Sequence, residues 1–446
     1  MRTRRGGRGA VGRVGLVGRV GRAGLVGRAG LVGLVLVGLL AATLFAQATY
    51  ESTVAELQSP DHRTRLRAVR ALKESAFPEA AVPVAALLAD PYDDVQYEAI
   101  WTELNISLVE KVGPAERSGI LVRRRDVIEA EPIFTAGPTA LAGDATPPPV
   151  LAALLRATTD DNPRVGVEAL YAFGALAGPL AGAARMDLRR TARPTLVALL
   201  GSTDPVLRSG AVRVIGRAYG RFGTEPPVDT LVGDALVAVL NDREPVIARQ
   251  AMEALGQMRY DRAVQALTDL VSYYGGRESG TAALGGLAAI AHPSSAPVLL
   301  AALDTRDDTR KRVAIEGLAR LGDPAAHAAI AAALARERGA ALQLAGHFAA
   351  ALLAGADLDP LVNALAGTRT RGQAHAYLVE VAAATPARLA PATRHGDPGV
   401  REEVADILGE SRNPDALQTL APLTGDADPD VAAAAVRASR RLRVDA

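Results

Sequence analysis

The stretch DREPVIARQAMEALGQM, Asp242 to Met258, decides how this chain folds. An acidic turn with Pro245 precedes Ile247, Ala251, Ala254 and Leu255, whose spacing of i, i+4, i+7 and i+8 lays them along one face of a helix. Gly256 has no Cβ, and its position predicts a loosening of the helix end. Ala251 marks the point where close helix packing demands a small side chain. Equivalents of it stand at Ala68, Ala99, Ala169, Ala211, Ala314, Val404 and Ala435, with fainter ones near Ala283, Ala345 and His375. Most neighbours lie about 30 to 42 residues apart, the period of stacked helical hairpins. Between Ala99 and Ala169 the interval is roughly two such periods.

Composition fits that reading. A chain of 446 residues that repeats a short unit needs no division into globular domains, because a solenoid grows by adding units. Aromatic residues make up 4% against 49% hydrophobic overall, so the core is built mostly from Ala, Leu and Val. There is no cysteine, which excludes disulfides, thiolate metal sites and cysteine nucleophiles. The net charge of +1 conceals an asymmetry. Residues 1–48 hold eight Arg and no Lys, Asp or Glu, leaving 42 basic and 49 acidic residues after them, a net of −7. A mildly acidic body argues against nucleic acid as partner.

Residues 1–48 read as an export segment of low complexity. Arg-rich sequence leads into the apolar run Leu31 to Phe45 and then Ala46-Gln47-Ala48, the order of a secretory signal peptide with an A-x-A cleavage site. The expectation is cleavage after Ala48. The alternative is an N-terminal membrane anchor, since Leu31 to Ala48 is just long enough to span. Either way the body, residues 49–446, ends up outside the cytoplasm, periplasmic or extracellular. Gly at every third position from Gly9 to Gly33 matches a collagen period, but no Pro accompanies it.

From Glu51 onward, Asx-Pro junctions mark helix starts at Asp90-Pro91, Asn162-Pro163, Asp204-Pro205, Asp397-Pro398, Asn413-Pro414 and Asp428-Pro429. Second apolar segments lie between them, which makes two helices per unit. In DPVLRSGAVRVIG, Asp204 to Gly216, and DPGVREEVADILG, Asp397 to Gly409, an acidic-Pro turn is followed by Val or Leu with Arg nearby, then an Ala or Val anchor, then Gly. The chain resembles a HEAT-repeat protein of the short-unit type related to the phycobilisome-lyase repeats. That resemblance implies an all-α fold, an α-solenoid in which antiparallel helix pairs stack into a right-handed superhelix with a long concave surface. It also implies protein binding as the commonest role, with bilin lyases and a di-iron hydroxylase as members that host chemistry. The hydroxylase-like members use His-Glu pairs as metal ligands, and no His-Glu dipeptide occurs here.

One segment breaks the period. From about 113 to 149 the chain is rich in Gly and Pro and lacks sustained helical periodicity, which marks a non-repeat insertion. Ile120 to Ile128 could pair as a strand. Arg123, Arg124 and Arg125 within it form a basic cluster that is either paired with Asp126, Glu129 and Glu131 or open to an anionic partner. Two residues after the anchor, the regular units carry Arg70, Arg213, Glu253, Glu316, Asp406 and Arg437, which reads as a solvent-facing position. Trp101 and Tyr171 stand there in the two units that flank the insertion. Large aromatics at such a place call for a cover, either a partner or the insertion folded back through Ile128, Ile133 and Phe134.

Other constellations are weaker. His327, His347, His375 and His395 never fall at i, i+4, so no metal site is expected. Arg208, Arg249, Arg312 and Arg401 recur near one position, where pairing with turn acids such as Asp204, Asp242 and Asp397 is expected. The sequence therefore points to a non-enzymatic scaffold outside the cytoplasm that binds a protein or peptide along its extended surface, without cofactor and with membrane contact only through a retained N-terminal segment. The alternatives are an enzyme or enzyme subunit of the bilin-lyase-like class and a purely structural envelope component.

Overall fold

In the computed structural model the described residues are 49–108, 129–137, 141, 146–178, 180, 182–221 and 228–444. The chain divides into two compact units, Met1–Ala55 and Glu56–Ala446. In the first the described residues 49–55 are helical, and the export segment expected over 1–48 lies outside the described residues. Among the described residues no helix is long and apolar enough to cross a membrane. Everything below concerns the second unit.

That unit is built almost entirely of helices. In order they are α1 (His62–Ser75), α2 (Ala81–Ala85), α3 (Asp93–Ser107), α4 (Ala130–Ala136), α5 (Pro148–Ala157), α6 (Pro163–Leu176), α7 (Gly182–Leu199), α8 (Pro205–Tyr219), α9 (Thr230–Val239), α10 (Pro245–Gln257) and α11 (Val264–Tyr274). Then follow α12 (Glu278–Ile290), α13 (Ala296–Ala302), α14 (Asp308–Leu321), α15 (Ala326–Leu334), α16 (Ala340–Leu353), α17 (Asp359–Asn363), α18 (Arg371–Ala384), α19 (Pro398–Glu410), α20 (Ala416–Leu420) and α21 (Pro429–Val444). Short 3-10 turns extend several of the first helices of the pairs, as at Asp261–Ala263 and Pro293–Ser295.

The second helices of the pairs form one unbroken row. Each of α1, α3, α6, α8, α10, α12, α14, α16, α18, α19 and α21 packs on the next. The all-α solenoid expected from the period is therefore the fold observed. The anchors Ala68, Ala99, Ala169, Ala211, Ala251, Ala283, Ala314, Ala345, Val404 and Ala435 are all completely buried. In α18 the buried equivalent is Ala374, not the neighbouring His375. The double interval between Ala99 and Ala169 hides no missing unit. Helix α3 packs directly on α6, so the insertion leaves the row and the stack closes behind it.

Gly256 does a different job from the one its position predicts. Helix α10 runs on through it to Gln257. A Cβ on Gly256 would lie 2.9 Å from the Ala289 Cβ of α12. Five residues after their anchors, Gly174, Gly216 and Gly409 share this role: a Cβ there would come within 2.7, 2.5 and 2.7 Å of the neighbouring α8, α10 and α21. These glycines set the distance between successive helices of the row.

A second tie repeats between turns. The Arg65 guanidinium donates through Nη1 to the Ser59 and Pro60 carbonyls of its own turn, and through Nε and Nη2 to both oxygens of Asp90 in the next turn, at 2.6 and 2.9 Å. Arg208 does the same to the Ser202 carbonyl and to Asp242, at 2.8 and 3.1 Å, and Arg401 to the His395 carbonyl and to Asp426, at 2.8 and 2.7 Å. Each aspartate also accepts a backbone N–H two residues on, from Tyr92, Glu244 and Asp428. The Arg401 hydrogen bonds hold the Asp426 carboxyl down at about 2. Such bidentate, charge-assisted bonds join units by direction as well as by charge. Across the insertion Gln96 takes the arginine's place, donating to Leu88 O and to Asp160 of the next turn at 2.8 Å.

The expected pairing with turn acids thus holds for Asp242, but the partner is the acid of the following unit. Asp204 and Asp397 instead cap their own helices, accepting from Val206 N and Gly399 N. Arg249 and Arg312 stand one residue later than Arg208 and Arg401 and pair elsewhere, with Glu278 and Glu316. Two of the Asx-Pro junctions also start no helix at the proline: α3 begins at Asp93 and α20 at Ala416.

Because the contacts of Gly409 are with the Cβ and backbone of Ala438, Gly409→Ala is expected to destabilise. Crowding at 2.7 Å from Ala438 Cβ and 2.9 Å from its Cα has no flexible side chain to absorb it. A cost of about 1–3 kcal/mol from overpacking exceeds the gain in helix propensity of about 1 kcal/mol. Urea unfolding followed by circular dichroism measures the difference, and a variant at least as stable as the wild type contradicts the close approach.

Candidate partner-binding surface

The surface that departs from the repeat is the inner edge of α3, α6 and α8. Tyr171 is not solvent-facing as its alignment suggests: it is 2% exposed. What covers it is the insertion. Within the segment expected to lack helix, residues Ala130–Ala136 form α4, which lies on α6. The insertion also ends earlier than 149, since Pro148 and Pro149 already belong to α5. Phe134 meets Tyr171 at 5.4 Å between ring centres, and Ile133 and Phe134 are both buried. Gly174 makes room for the ring, for a Cβ there would lie 2.8 Å from Phe134 Cε2.

Two arginines of α8 complete the seat. Arg213 donates to the Tyr171 hydroxyl and to Thr135 Oγ1, each at 2.9 Å, and to the Glu131 carboxylate. Burial works against the Arg213 charge, but Glu131 and Tyr171 outweigh it and raise its pKa. Arg217 lies 3.8 Å from the Phe134 ring centre and donates to the Phe134 carbonyl near the C-terminus of α4. A cation there meets both the face of an aromatic ring and the negative end of a helix. Burial, with Arg213 nearby, pushes Arg217 down to about 10, and Glu410 offsets part of that.

Trp101 is half-buried and is held from the same side. Its indole Nε1 donates to Glu168 Oε2 at 3.2 Å, and the same oxygen accepts the Ala130 N–H at 3.0 Å. Glu168 therefore joins Trp101 to the first residue of α4. Tyr97 stacks on Trp101 at 5.7 Å, and Lys73 Nζ stands 5.9 Å from the indole. Glu129, Glu131, Pro132, Thr135, Ala136 and Glu168 line a shallow acidic cleft beside α4. Arg123, Arg124 and Arg125, like Ile128 and the strand expected over Ile120 to Ile128, lie outside the described residues.

Sequence reasoning singled out Tyr171, Ile133 and Phe134, read Glu131 as a partner for the Arg123 to Arg125 cluster where it pairs with Arg213, and missed Arg217, Glu168 and Gly174. The pairs Arg213–Glu131 and Arg217–Phe134 are separated by 82 and 83 residues, a distance no repeat spacing encodes. The glycine five places after the anchor was the available signal.

Further along, the inner edge is tied to itself. Arg320 grips both oxygens of Glu380, two units on, at 2.9 and 2.6 Å. Tyr377 donates to Glu316 across the same interval. His375 pairs with Glu403 at 2.8 Å and Glu410 at 3.4 Å. Burial disfavours the His375 charge, but the two carboxylates raise its pKa to about 10. Arg412 reaches back to the Gly178 carbonyl at 3.1 Å, a link between the α19–α20 turn and the end of α6. A second depression is lined by Arg189, Arg190, Arg193, Tyr219, Arg221 and Asp229. There Arg189 caps the Ala218 and Gly220 carbonyls at the end of α8, Arg193 pairs with Asp229 and Arg190 with Asp187.

The HEAT-repeat family model matches residues 194–273 and 358–445, so the chain carries HEAT repeats over both stretches. Among proteins of curated function, none matches it in sequence. Among solved structures it is similar to an engineered protein at 19% identity and TM-score 0.39, covering 88% of this chain and 98% of that one. It is also similar to a chain from a study of the phosphorylation-controlled interaction between cadherin and β-catenin, at 13% identity and TM-score 0.40, covering 89% and 94%. A chain from a study of Kap95p binding to RanGDP matches at 14% identity and TM-score 0.36; the match covers 87% of this chain and 50% of that one.

One buried acid belongs to α3 itself. Glu103 of α3 is 2% exposed and its Oε1 has no hydrogen-bond partner. Burial alone raises its pKa well above the ordinary carboxylate value. A carboxyl that stays neutral when folded and ionises when unfolded costs stability as pH rises above the unfolded value, until the folded group also ionises. Glu103→Gln is therefore expected to raise the thermal midpoint over wild type at pH 8, with the gain shrinking towards pH 4. A midpoint difference that does not change with pH contradicts the neutral carboxyl.

Proposed function

We propose that this protein is a non-enzymatic, protein-binding HEAT scaffold of the short-unit kind, exported from the cytoplasm, whose partner is held at the inner edge formed by α3, α6 and α8. The observation that supports this most is the seat itself. Tyr171, Gly174, Arg213 and Arg217, from two successive units, hold a short peptide helix by its aromatic side chain, its acid and its C-terminal carbonyl. Repeated helices place such side chains at fixed intervals, which is how an extended surface makes multipoint contact. The strongly shifted groups elsewhere on the inner edge have structural reasons. His375 and Tyr377 lie in ties between units, which a partner there has to break.

Affinity capture from the native cell envelope tests the reading. The expected result is one specific protein recovered by the wild type and reduced at least tenfold with Arg213→Glu, while circular dichroism stays native. Equal recovery by both, or no specific partner, sinks it. Export rests on the Arg-rich, apolar, A-x-A order of residues 1–48. Mass spectrometry of the protein purified from its native source is expected to show a mature N-terminus at Thr49; a peptide containing Leu31 to Ala48 contradicts cleavage.

A further inference from the structure

The helix α4 sits on the inner edge as a peptide ligand sits on a receptor. It meets α6 and α8 with an acid, an aromatic ring and a hydroxyl, at positions Glu131, Phe134 and Thr135. The spacing of three residues between Glu131 and Phe134 puts acid and ring on one side of a helical turn. The receptor side is matched to those features. Arg213 faces the acid and the hydroxyl, Tyr171 and the missing side chain of Gly174 face the ring, and Arg217 covers both the ring and the carbonyl behind it. Each receptor residue belongs to the regular row, whereas α4 belongs to the one segment that interrupts it.

The occupancy is also electrostatically incomplete. Arg213 has the Glu131 carboxylate, but from α4 Arg217 receives only a neutral carbonyl and a ring, and the acid near it, Glu410, belongs to the row. Glu131 itself remains 54% exposed in its side chain, so its bond to Arg213 is shared with water. The rest of the contact is apolar, carried by Ala130, Ile133 and Phe134, all buried.

We infer that α4 is a built-in competitor, and that the seat of Tyr171, Gly174, Arg213 and Arg217 recognises a partner through a short helix bearing a carboxylate three residues before an aromatic side chain. This rests on the scaffold reading and names the chemistry of its partner. The partner binds where α4 lies and displaces it. Glu168 links the two events to Trp101, the single tryptophan of the chain, so displacement of Ala130 from Glu168 reports itself in the indole.

The test uses the full chain and a fluorescein-labelled synthetic peptide of residues 129–137, EAEPIFTAG. In the double variant E131A/F134A the resident helix loses its acid and its ring while the seat is untouched. The peptide is expected to bind this variant at least tenfold more tightly than wild type by fluorescence anisotropy, and to shift Trp101 emission as it binds. Adding Arg217→Ala to the variant is expected to weaken binding tenfold or more. If E131A/F134A loses its native helical circular dichroism, Glu131→Ala alone is titrated in its place and is expected to bind the peptide more tightly than wild type. Failure of a natively folded loosened variant to bind, equal binding by wild type and variant, or indifference to Arg217→Ala each overturns the inference. Peptide binding and envelope capture fail separately: a partner that is captured while the peptide does not bind leaves the scaffold reading standing and removes only α4 as its mimic.

Discussion

Successive helices of the inner row approach so closely that a Cβ at Gly256 or Gly409 has no room, and the rest of the molecule depends on that approach. It brings the completely buried anchors from Ala68 to Ala435 into one continuous core built from small side chains. It also brings each turn near enough to the next for Arg65, Arg208 and Arg401 to grip an aspartate in the following unit. Core and clamp act at opposite places on each helix pair, one along the row and one at the turns. Together they fix both the spacing and the rotation of a unit on its neighbour.

The insertion is tolerated because neither contact passes through it. Helices α3 and α6 pack as neighbours, and Gln96 reaches Asp160 as an arginine does elsewhere. Released from the row, the insertion is free to supply something the repeats do not: a helix that lies on α6, is held by two arginines of α8 and fills the space above Gly174. The same close packing that gives the row its rigidity leaves aromatic and arginine side chains of its inner edge in fixed positions.

The period, the fold class and the buried anchors were legible in the sequence because all three are properties of one helix face. The partners of particular residues were not. Gly256 reads as a helix end when only its own helix is considered, yet its role is set by Ala289, a residue of the next unit. Arg401 reads as a match for Asp397 in its own turn, but it holds Asp426, while Asp397 is engaged by its own helix N-terminus. Tyr171 reads as an exception to a charged position that calls for a cover, by a partner or by the insertion, and the structure places Ile133 and Phe134 of the insertion there. Arg217 escaped notice because a charged residue at such a position is ordinary, and Glu131 reads as a partner of its neighbours in sequence; only the fold brings Arg213 and Arg217 to α4.

The central claim is that α4 is docked on α6 and α8 by Arg213 and Arg217 while the row continues beneath it. Hydrogen–deuterium exchange of the wild type and of R213A/R217A tests this directly. The account predicts that amides of Ala130–Ala136 are protected in the wild type and lose that protection in the variant, with those of α6 and α8 unchanged. Protection of Ala130–Ala136 that survives both substitutions, or exchange in α6 that rises together with it, contradicts a helix docked on an independent row.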